Sequence, residues 1–216
     1  LSGLSEGAHT FRVRAIDGDG NVDPTPAARS WTVDTTGPTS TIDSGPGGPT
    51  QNTDPSFEFS ADEAGSTFEC RLDGGSFASC TSPQAYSGLS DASHTFEVRA
   101  TDPVGNTGAA ASRTFTVDTT APDTTIDAGP TGTTNSTAAT FEFSSTEPGN
   151  DFVCTLDGNA VSCGSPKNYT GLANGDHTFT VAARDAANNE DPTPASRTWT
   201  VSSTTPDTQI TGGPGG

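Results

Sequence analysis

Four cysteines are the residues of this sequence with the clearest chemical capacity, and they fall into two close pairs. The pairs are Cys70 with Cys80 and Cys154 with Cys163, and each flanks a short stretch, Asp-Gly-Gly or Asp-Gly-Asn, of the kind that forms β-hairpin turns. The two spacings differ by one residue. If the extra residue lies in the turn, with a three-residue loop at 74–76 and a two-residue loop at 158–159, both pairs are directly opposite across a hairpin.

Thiols at this spacing can form a disulfide or bind a metal ion. Opposite residues in a hairpin lie about 4.5 to 5.5 Å apart at Cα, which is within the reach of a disulfide. A zinc site needs four ligands, and no Cys-x-x-Cys pair or nearby histidine supplies the other two. We therefore predict the disulfides Cys70–Cys80 and Cys154–Cys163, and a secreted or cell-surface location, because structural disulfides require an oxidising compartment.

Three histidines, His9, His94 and His177, recur at one place in a repeated phrase. They stand in no arrangement typical of a metal site or of an activated nucleophile, so a packing role is favoured. The sequence also contains no Ser/His/Asp or Cys/His arrangement and no phosphate-binding loop. We predict that the protein is not an enzyme.

The balance of charge limits the partners. With 27 acidic and 9 basic residues the net charge is -18, so nucleic acid and anionic lipid would be repelled, whereas cations would be attracted. No run of 18 apolar residues is present, so we expect no membrane insertion in this segment. Abundant glycine and proline with no methionine argue against helices.

The elements that position these residues repeat along the chain. The phrase that begins at His9 as HTFRVRAID returns at His94 as HTFEVRATD and at His177 as HTFTVAARD. Other positions recur with a period of 84 residues. Examples are Pro38, Pro122 and Pro206, and also Ile42, Ile126 and Ile210. The predicted modules are 39–122 and 123–206, preceded by the C-terminal strands of an earlier module at 1–38 and followed by the first strand of a later one at 207–216.

Within each module, apolar and polar residues alternate over short stretches that turn residues separate, which predicts an all-β sandwich. The predicted buried positions of the first full module are Phe57, Phe59, Phe68, Cys70, Leu72, Phe96, Val98, Ala100, Phe115 and Val117. Those of the second are Phe141, Phe143, Phe152, Cys154, Leu156, Phe179, Val181, Ala183, Trp199 and Val201.

Three phrases together resemble a known family: Gly88-Leu followed by HTFEVRA, the loop Asp102-Pro-Val-Gly-Asn106, and the junction VDTTAP that ends at Pro122. They are similar to the bacterial immunoglobulin-like (BIg-type) tandem repeats of cell-surface adhesins and secreted multidomain proteins, with the fibronectin type III sandwich as a more distant likeness. The resemblance implies tandem immunoglobulin-like or fibronectin type III-like β-sandwiches that form extended stalks. It also implies calcium at the module junctions.

If the strand order is that of a fibronectin sandwich, each junction gathers acidic and amide groups, and oxygen ligands of this kind suit Ca²⁺. The implied ligand sets are Asp34, Glu63, Asp102 and Asn106 at one junction, and Asp118, Asp123, Glu147, Asp185 and Asn189 at the next. The alternative is that these residues are ordinary turn formers. Two differences between the junctions favour that alternative. The aspartate that begins the linker, Asp34 or Asp118, becomes Ser202 at the last junction, and Asp123 corresponds to Thr39.

The function expected from these features is a non-catalytic extracellular array, structural or adhesive, that forms a stalk or a filament. Its partners would be neighbouring modules of the same chain and, in a filament, identical chains. The alternative is a set of carbohydrate-binding or spacer modules of a secreted hydrolase, in which Tyr86 and Tyr169 are the main candidates for contact with surface glycans.

Overall fold

The structure is a computed structural model that describes residues 2–149, 151–205, 207–209 and 211–212. Those residues form strands, turns and loops without a helix, so the predicted all-β fold is confirmed. No helix long and apolar enough to cross a membrane occurs in this described part of the chain.

Eighteen strands follow one another along the described residues. The first two are β1 (Gly7–Val13) and β2 (Ala27–Val33). The next eight are β3 (Ser40–Ser44), β4 (Pro49–Thr50), β5 (Ser56–Ala61), β6 (Thr67–Leu72), β7 (Ala78–Cys80), β8 (Gln84–Ala85), β9 (Ala92–Thr101) and β10 (Ala111–Val117). The last eight are β11 (Thr124–Ala128), β12 (Gly132–Thr134), β13 (Ala139–Ser145), β14 (Asp151–Leu156), β15 (Asn159–Cys163), β16 (Lys167–Tyr169), β17 (Gly175–Arg184) and β18 (Ala195–Val201).

The two sets of eight strands have the same order. Strands β3–β5–β8 form one sheet and β4–β10–β9–β6–β7 another; β11–β13–β16 and β12–β18–β17–β14–β15 repeat this arrangement. In both sets the short second strand lies parallel to the last strand, as β4 does to β10. The sequence repeat is therefore also a repeat of strand order.

The hairpin β1–β2 has the register of β17–β18, because His9 is opposite Trp31 as His177 is opposite Trp199. Phe11 and Val13 of this hairpin are exposed, with Phe11 at 50%, whereas Trp31 and Val33 are half-buried. The repeat positions Pro206 and Ile210 lie outside the described residues, as do 213–216 of the predicted strand 207–216, and residues 207–209 and 211–212 form no strand.

The chain divides into two compact units. The first comprises Leu1–Gly47, Asp54–Gly88 and Ser93–Phe115, and the second comprises Gly48–Thr53, Leu89–Ala92 and Thr116–Gly216. These units differ from the predicted modules 39–122 and 123–206, whose limits stay predictions.

The core of the first unit forms where alternate residues of facing strands meet. The ring of Phe57 on β5 stacks on Phe96 of β9 with centroids 4.3 Å apart, and Phe115 of β10 lies 5.5 Å from Phe57. All three side chains are buried, as predicted. Phe68 and Leu72 of β6 are only half-buried.

The core of the second unit repeats this packing. Phe141 of β13 stacks on Phe179 of β17 at 4.0 Å, and Trp199 takes the place of the third phenylalanine at 5.2 Å from Phe141. Cys154 is fully buried in the same cluster. Burial of side chains of this size is the main source of stability for so small a sandwich.

Both predicted disulfides are present, with Cα atoms 5.8 Å apart in each. The predicted register was wrong. Cys70 is opposite Ala78, and Cys80 is opposite Phe68, so each cystine joins diagonal rather than opposite positions, and the second hairpin has the same offset.

The turns explain the register. The extra residue of the first pair lies between Cys70 and Ala78, and the loop of the second hairpin is 157–158, one residue earlier than expected. Asp73 and Gly74 have φ of 53° and 70°, and Asp157 and Gly158 have φ of 50° and 85°. Two successive residues at positive φ are typical of a tight hairpin turn, and Asp tolerates the first position.

Candidate functional site in the linker segments

The first acidic cluster is built from three separate parts of the chain. Asp34 follows β2, Glu63 lies between β5 and β6, and Asp102 follows β9. The start of β6 pairs with the end of β9, Thr67 opposite Thr101, so the β5–β6 loop meets the loop after β9. One carboxylate oxygen from each of the three acids lies within 4.8 Å of the others.

The second cluster has the same construction. Asp118 follows β10, Glu147 lies between β13 and β14, and Asp185 follows β17. Their carboxylate oxygens also lie within 4.8 Å of one another. Three acids of each predicted ligand set are thus brought together, and in each cluster one acid precedes the predicted module boundary while two follow it.

The Asp-x-x-x-Asn loop has a local structural role. Asp102 Oδ1 accepts hydrogen bonds from the backbone amides of Val104, Gly105 and Asn106, while Asn106 Nδ2 donates to Asp102 Oδ2 at 2.8 Å. Asp185 and Asn189 form the equivalent pair. Both pairs therefore stabilise the turns in which they lie.

Each of these asparagines also contacts the linker, which is the Asp-Thr-Thr-x-Pro segment 34–38 or 118–122. Asn106 Nδ2 donates to the backbone carbonyl of Asp34 at 3.1 Å, and Asn189 Nδ2 donates to that of Asp118 at 2.9 Å. The amide nitrogen rather than the amide oxygen thus faces the acids. Asn106 and Asn189 lie beside the clusters and donate through Nδ2 both to an acid of the cluster and to the linker.

Asp123 is not part of the second cluster. Its backbone amide donates to Thr146 Oγ1 at 3.0 Å, and its carbonyl accepts from the amide of Thr146. These contacts hold the start of β11 against the loop after β13. Their equivalent in the preceding repeat pairs Thr39 with Asp62, so the position has a structural use that does not depend on its charge.

The electrostatics of the clusters follow from their like charges. Burial, followed by the nearby carboxylates of Asp34 and Asp102, raises the pKa of Glu63. Burial and then Asp118 and Asp185 raise the pKa of Glu147. In each cluster a proton or a cation would relieve this repulsion.

The pKa of Asp102 shifts in the opposite direction to that of Glu63, because hydrogen bonds from its own loop stabilise the charged form. Burial raises the pKa of the Asp102 carboxyl, but the amide hydrogen bonds from Asn106 and from the rest of the loop outweigh burial, so the pKa is lowered. The pKa of Asp102 is thus lowered while that of Glu63 is raised, although the two carboxyls belong to one cluster.

The residues next to the linker aspartates donate hydrogen bonds to a set of acceptors that the sequence analysis did not predict. Asp91, in the segment before β9, accepts hydrogen bonds from Thr119 Oγ1 at 2.9 Å and Thr120 Oγ1 at 3.1 Å. Glu6 accepts from Thr35 and Thr36 in the same way. The available signal was the recurrence of an acceptor, Glu6, Asp91 and Asn174, three residues before each repeated histidine.

The tyrosines proposed as a sugar platform are engaged elsewhere. Tyr86 is half-buried and packs edge-on against Phe57 at 6.3 Å, and Tyr169 does the same against Phe141. Both rings thus contribute to core packing while part of each stays exposed, and their contact with surface glycans stays a prediction.

Comparison with solved structures shows the fold. Fibronectin(III)-like modules of Clostridium thermocellum CbhA match 76% of this chain and 94% of their own with a TM-score of 0.50 and 19% identity. The chain has a fibronectin type III-like fold. No protein-family model and no curated protein matches the chain.

Two further structures have TM-scores below 0.5. The FN1–FN3 domains of chicken CNTN1 have a TM-score of 0.46 and 10% identity over 90% of this chain and 75% of that chain. A 1.5-MDa bacterial ice-binding adhesin has a TM-score of 0.38 and 18% identity over 92% of this chain and 76% of that chain.

Proposed function

We propose that this chain is part of a non-catalytic extracellular array of bacterial immunoglobulin-like repeats, a structural or adhesive stalk or filament in which each repeat supplies length. One observation carries the proposal: the same strand order and the same linker contacts occur in successive segments of the chain. The two disulfides support an oxidising, extracytoplasmic location. The partners of each repeat are then its neighbours in the chain.

Scattering from chains of increasing repeat number tests the stalk. The longest strands, β9 and β17, have 10 residues each and span about 33 Å, so each added repeat is expected to increase the maximum dimension by about 30 to 40 Å when the linker is included. A maximum dimension that stays nearly constant as repeats are added would contradict a stalk. Concentration-dependent fibres in electron micrographs would select the filament form of the same proposal.

We also propose that the two acidic clusters bind Ca²⁺. Support comes from the arrangement itself, which offers three carboxylates, neither thiol nor imidazole, and a carboxyl whose pKa is raised by its neighbours. It recurs around Asp34 and around Asp118, the two linkers that carry an aspartate. The third linker has Ser202 there and is not expected to bind a cation.

Replacement of Glu147 by glutamine tests the calcium proposal. In a chelator, Glu147→Gln removes like-charge repulsion and is expected to leave the melting temperature unchanged or higher at neutral pH. Added calcium is expected to raise the melting temperature of the wild type and to have a smaller effect on the variant. Glu142→Gln, which changes an exposed glutamate of β13, is the matched control and is expected to keep the full calcium response. A wild type with no calcium response would refute calcium binding without affecting the stalk.

A further inference from the structure

We infer that each Asp-Thr-Thr linker is bound by side-chain hydrogen bonds from the repeats on both of its sides, and that these bonds need no metal ion. We call the two sets of bonds the first and the second fastening. Asp91 holds Thr119 and Thr120 from the preceding repeat, and Asn189 holds Asp118 from the following one. The inference rests on the proposed repeat array but not on the proposed calcium.

The first fastening is charge-assisted. Thr119 Oγ1 lies 2.9 and 3.0 Å from the two carboxylate oxygens of Asp91, and Thr120 Oγ1 lies 3.1 Å from Oδ2. The hydroxyl of Thr119, followed by its nearby backbone amide, lowers the pKa of Asp91. One acceptor therefore fixes two consecutive residues of the linker.

The second fastening comes from a residue that its own loop already orients. Asn189 Nδ2 donates to Asp185 Oδ2 at 2.7 Å, and the same nitrogen donates to the backbone carbonyl of Asp118 at 2.9 Å. Asn189 is buried, with 9% of its surface exposed. Because Asp185 fixes the rotamer, the bond to the linker costs little additional side-chain entropy.

The linker aspartate adds a bond within the segment itself. Asp118 Oδ1 accepts a hydrogen bond from the backbone amide of Thr120 at 3.1 Å, which closes a tight turn between the two fastenings. The residue at the end of the segment, Pro122, restricts the backbone further. The segment thus has few free torsions although most of it lies at the surface.

Equivalent contacts at the other two linkers support the inference, because they recur at the same positions with different residue types. At the first linker Glu6 replaces Asp91 and accepts from Thr36 Oγ1 at 2.6 Å, while Asn106 replaces Asn189. At the third linker Asn174 Oδ1 accepts from the amide and the hydroxyl of Ser203, at 2.9 and 2.7 Å. The acceptor is glutamate, aspartate or asparagine, so all three linkers keep a side-chain oxygen acceptor at this position.

This recurrence also explains why two sequence motifs occur together. The junction motif Asp-Thr-Thr-x-Pro supplies the carbonyl and the hydroxyls, and the Asp-x-x-x-Asn loop supplies the donor that binds that carbonyl. Asp91, Asn189 and their equivalents are positioning residues for the linker. They place the side chain of Asp118 next to Glu147 and Asp185, whether or not an ion is present.

Hydrogen exchange of the full chain in a chelator tests the inference. Replacement of the acceptor in Asp91→Leu is expected to increase the exchange rate of the Thr119 amide about tenfold or more, since hydrogen bonds to charged groups are among the stronger ones. Asp91→Asn is expected to retain most of the protection, because Asn174 performs this role at the third linker. The control Asp127→Leu removes a carboxylate that accepts a serine hydroxyl on β13, and it is expected to leave the linker unchanged.

Thr120→Val provides a second variant in case Asp91→Leu does not fold, because it removes one hydroxyl at constant volume. Faster exchange at 119–120 in this variant, with β10 unchanged, supports the fastening. The inference is overturned if the Thr119 amide exchanges as fast in the wild type as in Asp91→Leu, or if it is protected only when calcium is added. Protection in the chelator supports the fastening even if the calcium proposal fails.

Discussion

The carboxylate of Asp157 accepts a hydrogen bond from His177 Nδ1 at 2.7 Å, and its other oxygen accepts one from the Thr178 amide at 2.8 Å. The second ring nitrogen of His177 lies 2.9 Å from the carbonyl of Ala173. The imidazole packs 5.3 Å from the ring of Trp199. The histidine thus joins the β14–β15 turn to the core, which is the packing role expected from the sequence.

The protonation of His177 should make the stability depend on pH. Both ring nitrogens face acceptors, and a neutral imidazole can donate from only one of them. The carbonyl of Ala173 and then the carboxylate of Asp157 therefore raise the pKa of His177, against the opposing effect of burial. A raised folded-state pKa contributes stability that is fully present below the unfolded value of about 6.5 and is lost as pH rises through the folded value.

Thermal unfolding between pH 5.5 and 8.5 measures this contribution. The melting temperature of the wild type is expected to exceed that of His177→Gln by most at the lowest pH, and the difference should shrink as pH rises. His9→Gln, whose ring contacts the carbonyl of Ser5, is the matched control. A difference that is constant across the pH range would contradict the prediction.

The turn residue Asp157 should give the opposite dependence of stability on pH. Burial raises the pKa of Asp157, but the Thr178 amide and His177 outweigh burial, so the pKa is lowered. Its contribution is present above the unfolded value of about 3.9 and is lost as pH falls through the folded value.

Replacement of Asp157 by asparagine removes the charge and keeps a residue that tolerates positive φ. Because the side chain is 41% exposed, the expected loss is only about 1 kcal/mol of unfolding free energy at neutral pH. Denaturant titration measures it, with Asp151→Asn on β14 as control. Equal losses in the two variants would show that the pair with His177 adds nothing.

The disulfides should stabilise the repeats by limiting the unfolded chain. Cys154 and Cys163 close a loop with a sequence separation of 9 residues. A loop of this size contributes roughly 2.5 to 3 kcal/mol on the chain-entropy model. The double variant Cys154→Ser/Cys163→Ser is expected to lose about this much unfolding free energy in denaturant titrations under oxidising conditions. Wild type assayed with reductant should lose more, because both cystines open, and an unchanged midpoint would contradict the prediction.

A close backbone approach at the first linker predicts a strong effect of one methyl group. A Cβ on Gly108 would overlap the carbonyl oxygen of Pro38, and backbone atoms cannot move aside as flexible side chains can. Gly108→Ala is expected to destabilise the chain by about 1 to 3 kcal/mol. Gly164→Ala is the control, since its Cβ would meet nothing within 4 Å. Similar melting temperatures for the two variants would mean that the linker does not pack against this loop in solution.

The sequence was informative wherever burial alternates along a strand. Phe96, Val98 and Ala100 are all buried on β9, because a period of two places them on one face. The acidic clusters were also found, because strand order determines which loops share an end. The hairpin register was not found. It depends on which residue begins the turn, and the carboxylate of Asp73 decides this by binding His94 and the Thr95 amide.

The linker contacts were missed for a related reason. Asp91 and Thr119 are 28 residues apart, and neither residue type is unusual at its position. Asp123 belongs to the predicted ligand set but not to the cluster of three carboxylates whose oxygens lie within 4.8 Å of one another. Its backbone pairs with Thr146, a contact that its position next to the linker in sequence did not reveal.

The parallel pairing of the short strands has a mechanical consequence. In the second repeat β12 runs alongside β18 in the same direction, with Gly132, Thr133 and Thr134 opposite Trp199, Thr200 and Val201. When the two ends of such a repeat are pulled apart, these strands must slide past each other, so their hydrogen bonds carry the load together and do not open one at a time. The first repeat has only two such positions, on β4, and would yield at a lower force.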